Sequence, residues 1–289
     1  MKNKTYAEVT SNRVNVYMQT KQKASSFAFP IEKNILTKSF TVVLVANVRQ
    51  ISVRVVDIPD RTKKEQRSLL RKLLMICAKS SSIKGLSATE KWNLVKQAYP
   101  IGEKMNETTH IFDGAVFANA KGVARFFIAA LPIRVADEIG EMGSKLFGSP
   151  HNLKCLDTVE HFMCKHYSSQ ETGAFWVVFP QDNGIRILFF TDGLPRAVWY
   201  ASSDPEFRID EITRYFTSSI NMLNKLQDGD LDDEYDDITL NELPKLQEKT
   251  TLKKVVVLNN GIDLDWLHNF LTECGVEVEK GEYCFGNLI

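Results

Sequence analysis

The residues GAFWVVFPQDNGIRILFFTDGLPRAVWYA, Gly173 to Ala201, decide how the rest of the chain is read. They divide into three runs, Ala174–Phe179, Ile185–Phe190 and Arg196–Ala201, each rich in the Val, Ile, Phe and Trp that suit a pleated, half-buried surface. Asp182-Asn183-Gly184 and Asp192-Gly193 separate them, and both sequences favour a tight reversal between antiparallel strands. A three-stranded meander is expected. Beyond it, Phe207, Ile212, Phe216, Ile220 and Leu223 recur at helical spacing, so a helix should pack back onto the strands before a late strand at Lys253–Leu258.

Composition sets the outer limits. With 289 residues, 44% hydrophobic and 25% charged, the chain can bury a substantial core and is long enough for two lobes. Lys plus Arg and Asp plus Glu both number 36, so no overall basic field draws nucleic acid or an anionic membrane. The scattered cysteines, Cys77, Cys155, Cys164, Cys274 and Cys284, are odd in number and suit a reducing compartment rather than a disulfide framework. Neither a signal-peptide core nor a membrane-length apolar run occurs, and the expected location is the cytosol.

In chain order, Tyr6–Val9 and Val14–Met18 read as a hairpin around Thr10-Ser11-Asn12, with a third strand at Ser26–Phe29 and a longer one at Phe40–Val48: a second copy of the meander. The strand ISVRVVDIP ends at Pro59, which lacks the N–H needed for further pairing. From Arg61 to Ser80 an apolar stripe of Leu69, Leu70, Leu73, Leu74 and Cys77 predicts a helix, and Ser87 with Glu90 reads as the capping box of another that ends near Pro100. Thr109–Asn119 and Val123–Leu131 are expected to pair, the second (RFFIAAL) centrally. Pro132 then opens a helix striped by Val135, Ile139, Met142 and Leu146. A short strand at Leu153–Leu156 follows, and Asp157 is read as the cap of a helix with Val159, Phe162 and Met163 inward. DGDLDDEYDD, Asp228 to Asp237, is acidic enough to form a self-repelling loop. A helix from Asp263 to about Cys274 and an end strand near Val276–Val278 close the chain.

This predicts an α/β (α+β) chain of two ribonuclease H-like lobes, 1–150 and 151–289, with a subdomain inserted in the first at about 57–122. The segments VVDIPDRTKKEQRSLLRKLL and RFFIAALPIRVADEIGEMGSKLFGSPHNLKCLDTVEHFM, with the meander, carry a resemblance to the actin-like proteins of type IV pilus assembly, the M family, and to the cytoplasmic domain of the type II secretion L protein. The resemblance implies an actin-like fold and a cytoplasmic adaptor that is peripheral at the inner membrane. It also implies a partner: the cytoplasmic tail of an inner-membrane assembly protein, held beside the inserted subdomain. Self-association is left open.

Active relatives carry Asp-x-Gly hairpin turns whose backbone N–H groups cradle phosphate. Here the first turn, Glu8-Val9-Thr10-Ser11-Asn12, has neither Gly nor Asp, and Ser11 stands at its centre. The second is Pro180-Gln181-Asp182-Asn183-Gly184, in which Pro180 removes a donor. Where the family has paired glycines near the adenine, this chain has Asn259-Asn260-Gly261. Eroded loops favour loss of hydrolysis and no cofactor; the alternative is a divergent ATPase or small-molecule kinase that uses ATP with magnesium.

No zinc set follows from His161, Cys164 and His166, which do not share a helix face, and no nucleophile motif is present. Trp176 and Trp199 read as core aromatics. For the partner, the expected contact is the 61–80 helix, through Leu70 and Leu74 with a basic edge at Arg67 and Arg71; an ordinary core-facing stripe is the alternative reading.

Overall fold

A computed structural model describes residues 4–18, 21–28, 41–57, 93, 108–118, 124–148, 153–168, 173–182, 184–202, 205–228, 252–259 and 264–289. The chain opens with the antiparallel meander β1 (Lys4–Val9), β2 (Arg13–Met18) and β3 (Lys21–Ala28), after which β4 (Thr41–Ala46) lies parallel to β1 on its other side. Next come β5 (Ser52–Asp57), β6 (His110–Ala118) and β7 (Ala124–Pro132), a separate antiparallel sheet in the order β5-β7-β6. The central place of β7 follows from its run of bulky apolar residues: Phe126, Phe127, Ile128 and Ala130 are all buried. Helix α1 (Ile133–Phe147), β8 (Leu153–Thr158) and α2 (Val159–Tyr167) follow. Since β8 runs parallel to β4, the first sheet has the order β3-β2-β1-β4-β8.

The stretch from Gly173 onward forms β9 (Ala174–Gln181), β10 (Gly184–Thr191) and β11 (Leu194–Ser202), followed by α3 (Pro205–Asp228), β12 (Leu252–Asn259), α4 (Asp265–Glu273) and β13 (Glu277–Glu282). The order is β11-β10-β9-β12-β13, with β12 parallel to both β9 and β13. Each five-stranded sheet thus arranges its strands as third, second, first, fourth, fifth, one architecture made twice. Parallel neighbours require a crossover, and α3 lies in the one between β11 and β12.

The reversals are tight where the sequence is turn-like. Asp182, Asp192 and Gly193 have φ of 49°, 53° and 73°, a left-handed conformation that Asp tolerates and Gly adopts freely. The second core is a sheet face filled from above. Trp176, Val178, Ile187 and Phe189 meet Ile212, Phe216, Ile220 and Leu223 of α3 and Leu267 and Leu271 of α4. Inside it, the Trp176 indole N–H donates to Ser219 Oγ at 2.9 Å, so its one polar atom is satisfied.

Several expectations are corrected. β3 begins earlier, at Lys21, and β4 is no further step of the meander but a parallel partner of β1. Pro132 ends β7 and occupies the cap position, with α1 starting at Ile133. Asp157 does not cap α2. It still pairs opposite Val45 in β8, and Thr158 is the cap, accepting the His161 N–H at 3.3 Å. Of the inward residues, Val159 and Met163 are buried and Phe162 is half-buried, while Cys164 is fully buried.

Two compact units emerge. The first comprises residues 1–170, 193–196 and 284–289; the second comprises 171–192 and 197–283. The pairing of β8 with β4 puts the end of the first unit beyond residue 150. The predicted helix at 61–80, the one at 87–100 apart from residue 93, and the acidic run after Asp228 lie outside the described residues. Among the described residues no helix is long and apolar enough to cross a membrane.

Candidate functional site

At the carboxyl end of β1 sits a buried carboxylate. Glu8 is 1% exposed, and three side chains converge on it: Asn47 donates from Nδ2 to Oε1 at 2.8 Å, and Asn15 Nδ2 (3.1 Å) and the Tyr17 hydroxyl (3.3 Å) donate to Oε2. Topology explains the meeting. Asn15 is the cross-strand partner of Glu8, and Asn47 follows β4, where its N–H donates to the Val9 carbonyl at 2.8 Å. Burial pushes the Tyr17 hydroxyl pKa well up, and the Glu8 and Cys284 charges add to the effect, so Tyr17 stays a donor.

Above this network the β1–β2 turn closes on itself. Thr10 N–H donates to the Arg13 carbonyl at 3.0 Å, and Arg13 N–H donates back to Thr10 Oγ1 at 3.2 Å. The Thr10 hydroxyl also lies 3.1 Å from both Asn12 Oδ1 and the Arg13 carbonyl. Beside the turn is a cleft of about 480 Å3 walled by Val9, Thr10 and Ser11. Its opposite wall is α1, which brings Val135, Ile139 and Met142 together with Glu138, Glu141 and Lys145. Glu138 accepts from Arg134 Nε at 3.0 Å one helical turn away.

In the second unit the predicted residues cluster at one end of one sheet. The carboxyl ends of β9 and β12 are parallel neighbours, and Asp182 and Asn259 stand at those ends. Gly184 has a packing reason: a β-carbon there would fall 2.3 Å from the Ala201 carbonyl oxygen and 2.6 Å from the Tyr200 hydroxyl. Asn259 pairs opposite Glu282, and its carbonyl accepts the Tyr283 N–H at 2.8 Å. Asn183, Asn260, Gly261 and the partner-contact residues Arg67, Leu70, Arg71 and Leu74 lie outside the described residues.

The zinc-type residues go separate ways. His161 Nδ1 is 2.9 Å from Asp157 Oδ1, Cys164 is fully buried with its thiol pKa pushed well up by burial and by Glu160, and His166 stacks edge-on with Tyr167 at 5.0 Å. Sequence reasoning missed the Glu8 cluster, although one acid between Ala7 and Val9 in an apolar strand is the signal that could have marked it.

No family model matches the chain, and no curated protein matches it. Among solved structures, the PilM-PilN type IV pilus biogenesis complex aligns over 98% of this chain and 88% of that one, with a TM-score of 0.50 at 11% identity. A Bacteroides thetaiotaomicron protein with an actin-like ATPase fold and unknown function aligns over 99% and 95%, with a TM-score of 0.50 at 7% identity. The chain has an actin-like fold. A looser likeness, TM-score 0.40 at 8% identity over 90% and 84%, is to the cytoplasmic domain of EpsL, an inner membrane component of the type II secretion system of Vibrio cholerae. In this actin-like chain the repeated sheet order sets the first cleft at the carboxyl ends of β1 and β4, the edge where α/β sheets place their ligands.

Proposed function

We propose that this actin-like chain is a scaffold that holds a short cytoplasmic tail of an inner-membrane assembly protein within a pilus or secretion machine, and that it does so without hydrolysing nucleotide. The observation that carries this reading is the use of the turns. Gly184, the residue at the second turn that would let backbone approach a phosphate, instead lets the hairpin approach the Ala201 carbonyl. At the first turn, Thr10 and Arg13 bond to each other, and the adjoining cleft presents two carboxylates, Glu138 and Glu141, against the single ammonium of Lys145, a balance that disfavours a polyphosphate. Turns used in this way support the scaffold reading over a phosphate cradle. The likeness to the PilM-PilN complex supports the choice of partner class, with Arg67, Leu70, Arg71 and Leu74 offered as the contact face.

Calorimetry tests both halves. Magnesium ATP is expected to bind no tighter than about millimolar, or about 4 kcal/mol, whereas a synthetic tail of the membrane partner binds measurably and loses affinity when Arg67 and Arg71 are reversed to glutamate. A micromolar dissociation constant for magnesium ATP would favour the competing reading of a divergent ATPase or small-molecule kinase.

A further inference from the structure

His161 projects from the first turn of α2 onto the separate sheet. Its ring lies 6.1 Å from Phe117 of β6 and 6.3 Å from Phe127 of β7, with Phe162 of its own helix at 6.0 Å. Nδ1 is held by Asp157 Oδ1 at 2.9 Å, with only 22% and 12% of the two side chains exposed. An ionised carboxylate can only accept, so Nδ1 carries a hydrogen and Nε2 is the atom that gains or loses a proton. Charges face the ring from three directions. Asp157 approaches from the end of β8 and Asp113 from β6, both favouring the cation, while Lys165 on α2 opposes it; β7 presents the uncharged ring of Phe127. Phe117 and Phe127 also offer aromatic surface to an imidazolium.

We propose that His161 is a proton-operated rivet between α2, which belongs with the first sheet, and the three-stranded sheet, holding the two together when protonated and relaxing when neutral. The joint is local because every group involved lies on α2, its approach from β8, or β6 and β7. Burial works to lower the His161 pKa, yet the charge and hydrogen bond of Asp157 and the charge of Asp113 outweigh it, and the result is raised. A pKa raised on folding gives stability that is complete below the ordinary value of about 6.5 and is lost as pH climbs through the folded value above it. The rivet therefore loosens toward alkaline pH. This inference stands apart from the scaffold reading, since it concerns the joint and not what the protein binds.

Hydrogen exchange of the full chain, corrected for the intrinsic pH dependence of amide exchange, is read alongside an NMR titration of His161. Exchange in 110–118 and 159–167 is expected to quicken as pH passes the His161 midpoint, by about tenfold for each unit the midpoint exceeds its ordinary value, while 174–191 stays level. His161→Gln should exchange fast at both ends of the range. Asp113→Asn keeps an acceptor for the Gly114 N–H, now 2.8 Å from Asp113 Oδ1, and should move the midpoint down with the fold intact. Equal protection on both sides of the midpoint, or a pH response that persists in His161→Gln, overturns the proposal. Should that variant not fold, an unmoved midpoint in Asp113→Asn overturns it equally.

Discussion

Gly184→Ala lowers the stability of the chain by about 3 kcal/mol, the upper part of what an overfilled interior usually costs. The size follows from what the new methyl group meets. At 2.3 Å from the Ala201 carbonyl oxygen, the obstacle is backbone of the neighbouring strand, which cannot swing aside as a flexible side chain would. The start of β10 and the end of β11 must part, and the β9–β10 reversal beside them is already held by Asp182 in a left-handed conformation. Urea unfolding followed by tryptophan fluorescence is the natural measurement, because Trp176, Trp199 and Trp266 belong to the second unit. A variant that unfolds at the wild-type midpoint but loses a bound ligand would show that this glycine serves chemistry and not packing.

Phe285→Ala removes about 3–5 kcal/mol, the usual loss for a buried Phe cut back to Ala. Phe285 is 0% exposed, between Tyr17 at 5.4 Å and Phe162 at 5.2 Å, and Gly286 lies against the Tyr17 ring. The damage should be specific. Tyr17 donates to Glu8, so a loosened Tyr17 also strips a partner from a buried carboxylate beneath the cleft. Hydrogen exchange is expected to rise first in 13–18 and 159–167, with 174–191 protected as before. Uniform acceleration through both units would contradict this account.

The meander at 173–201 was legible because its strands are apolar on both faces and its turns use Asp and Gly, so length and punctuation agree. Parallel pairing was less visible. β4 finds β1 and β8 finds β4 across long stretches of chain, and nothing in the residues of one parallel strand names its neighbour. The α2 cap was misassigned by one position because Asp157 and Thr158 are both good caps, and the ladder to Val45 decides between them. At the candidate site, Ser11 lines the cleft, and the charged residues Glu138, Glu141 and Lys145 of its α1 wall came from a helix read only for its apolar stripe. Glycine was the most ambiguous letter. A turn, a ligand and a close strand all ask for a missing side chain, and only the position of Ala201 separates them at 184.

The return of residues 284–289 to the first unit bears on how the protein is born. Phe285 leaves the ribosome more than a hundred residues after position 170, which at ordinary elongation speeds is a wait on the order of ten seconds. During that interval Tyr17 and Phe162 stand without the ring that fills the space between them, and the nascent first unit exposes an apolar notch. The half made first is therefore the half finished last, and a chaperone that attends this chain has its reason to linger there.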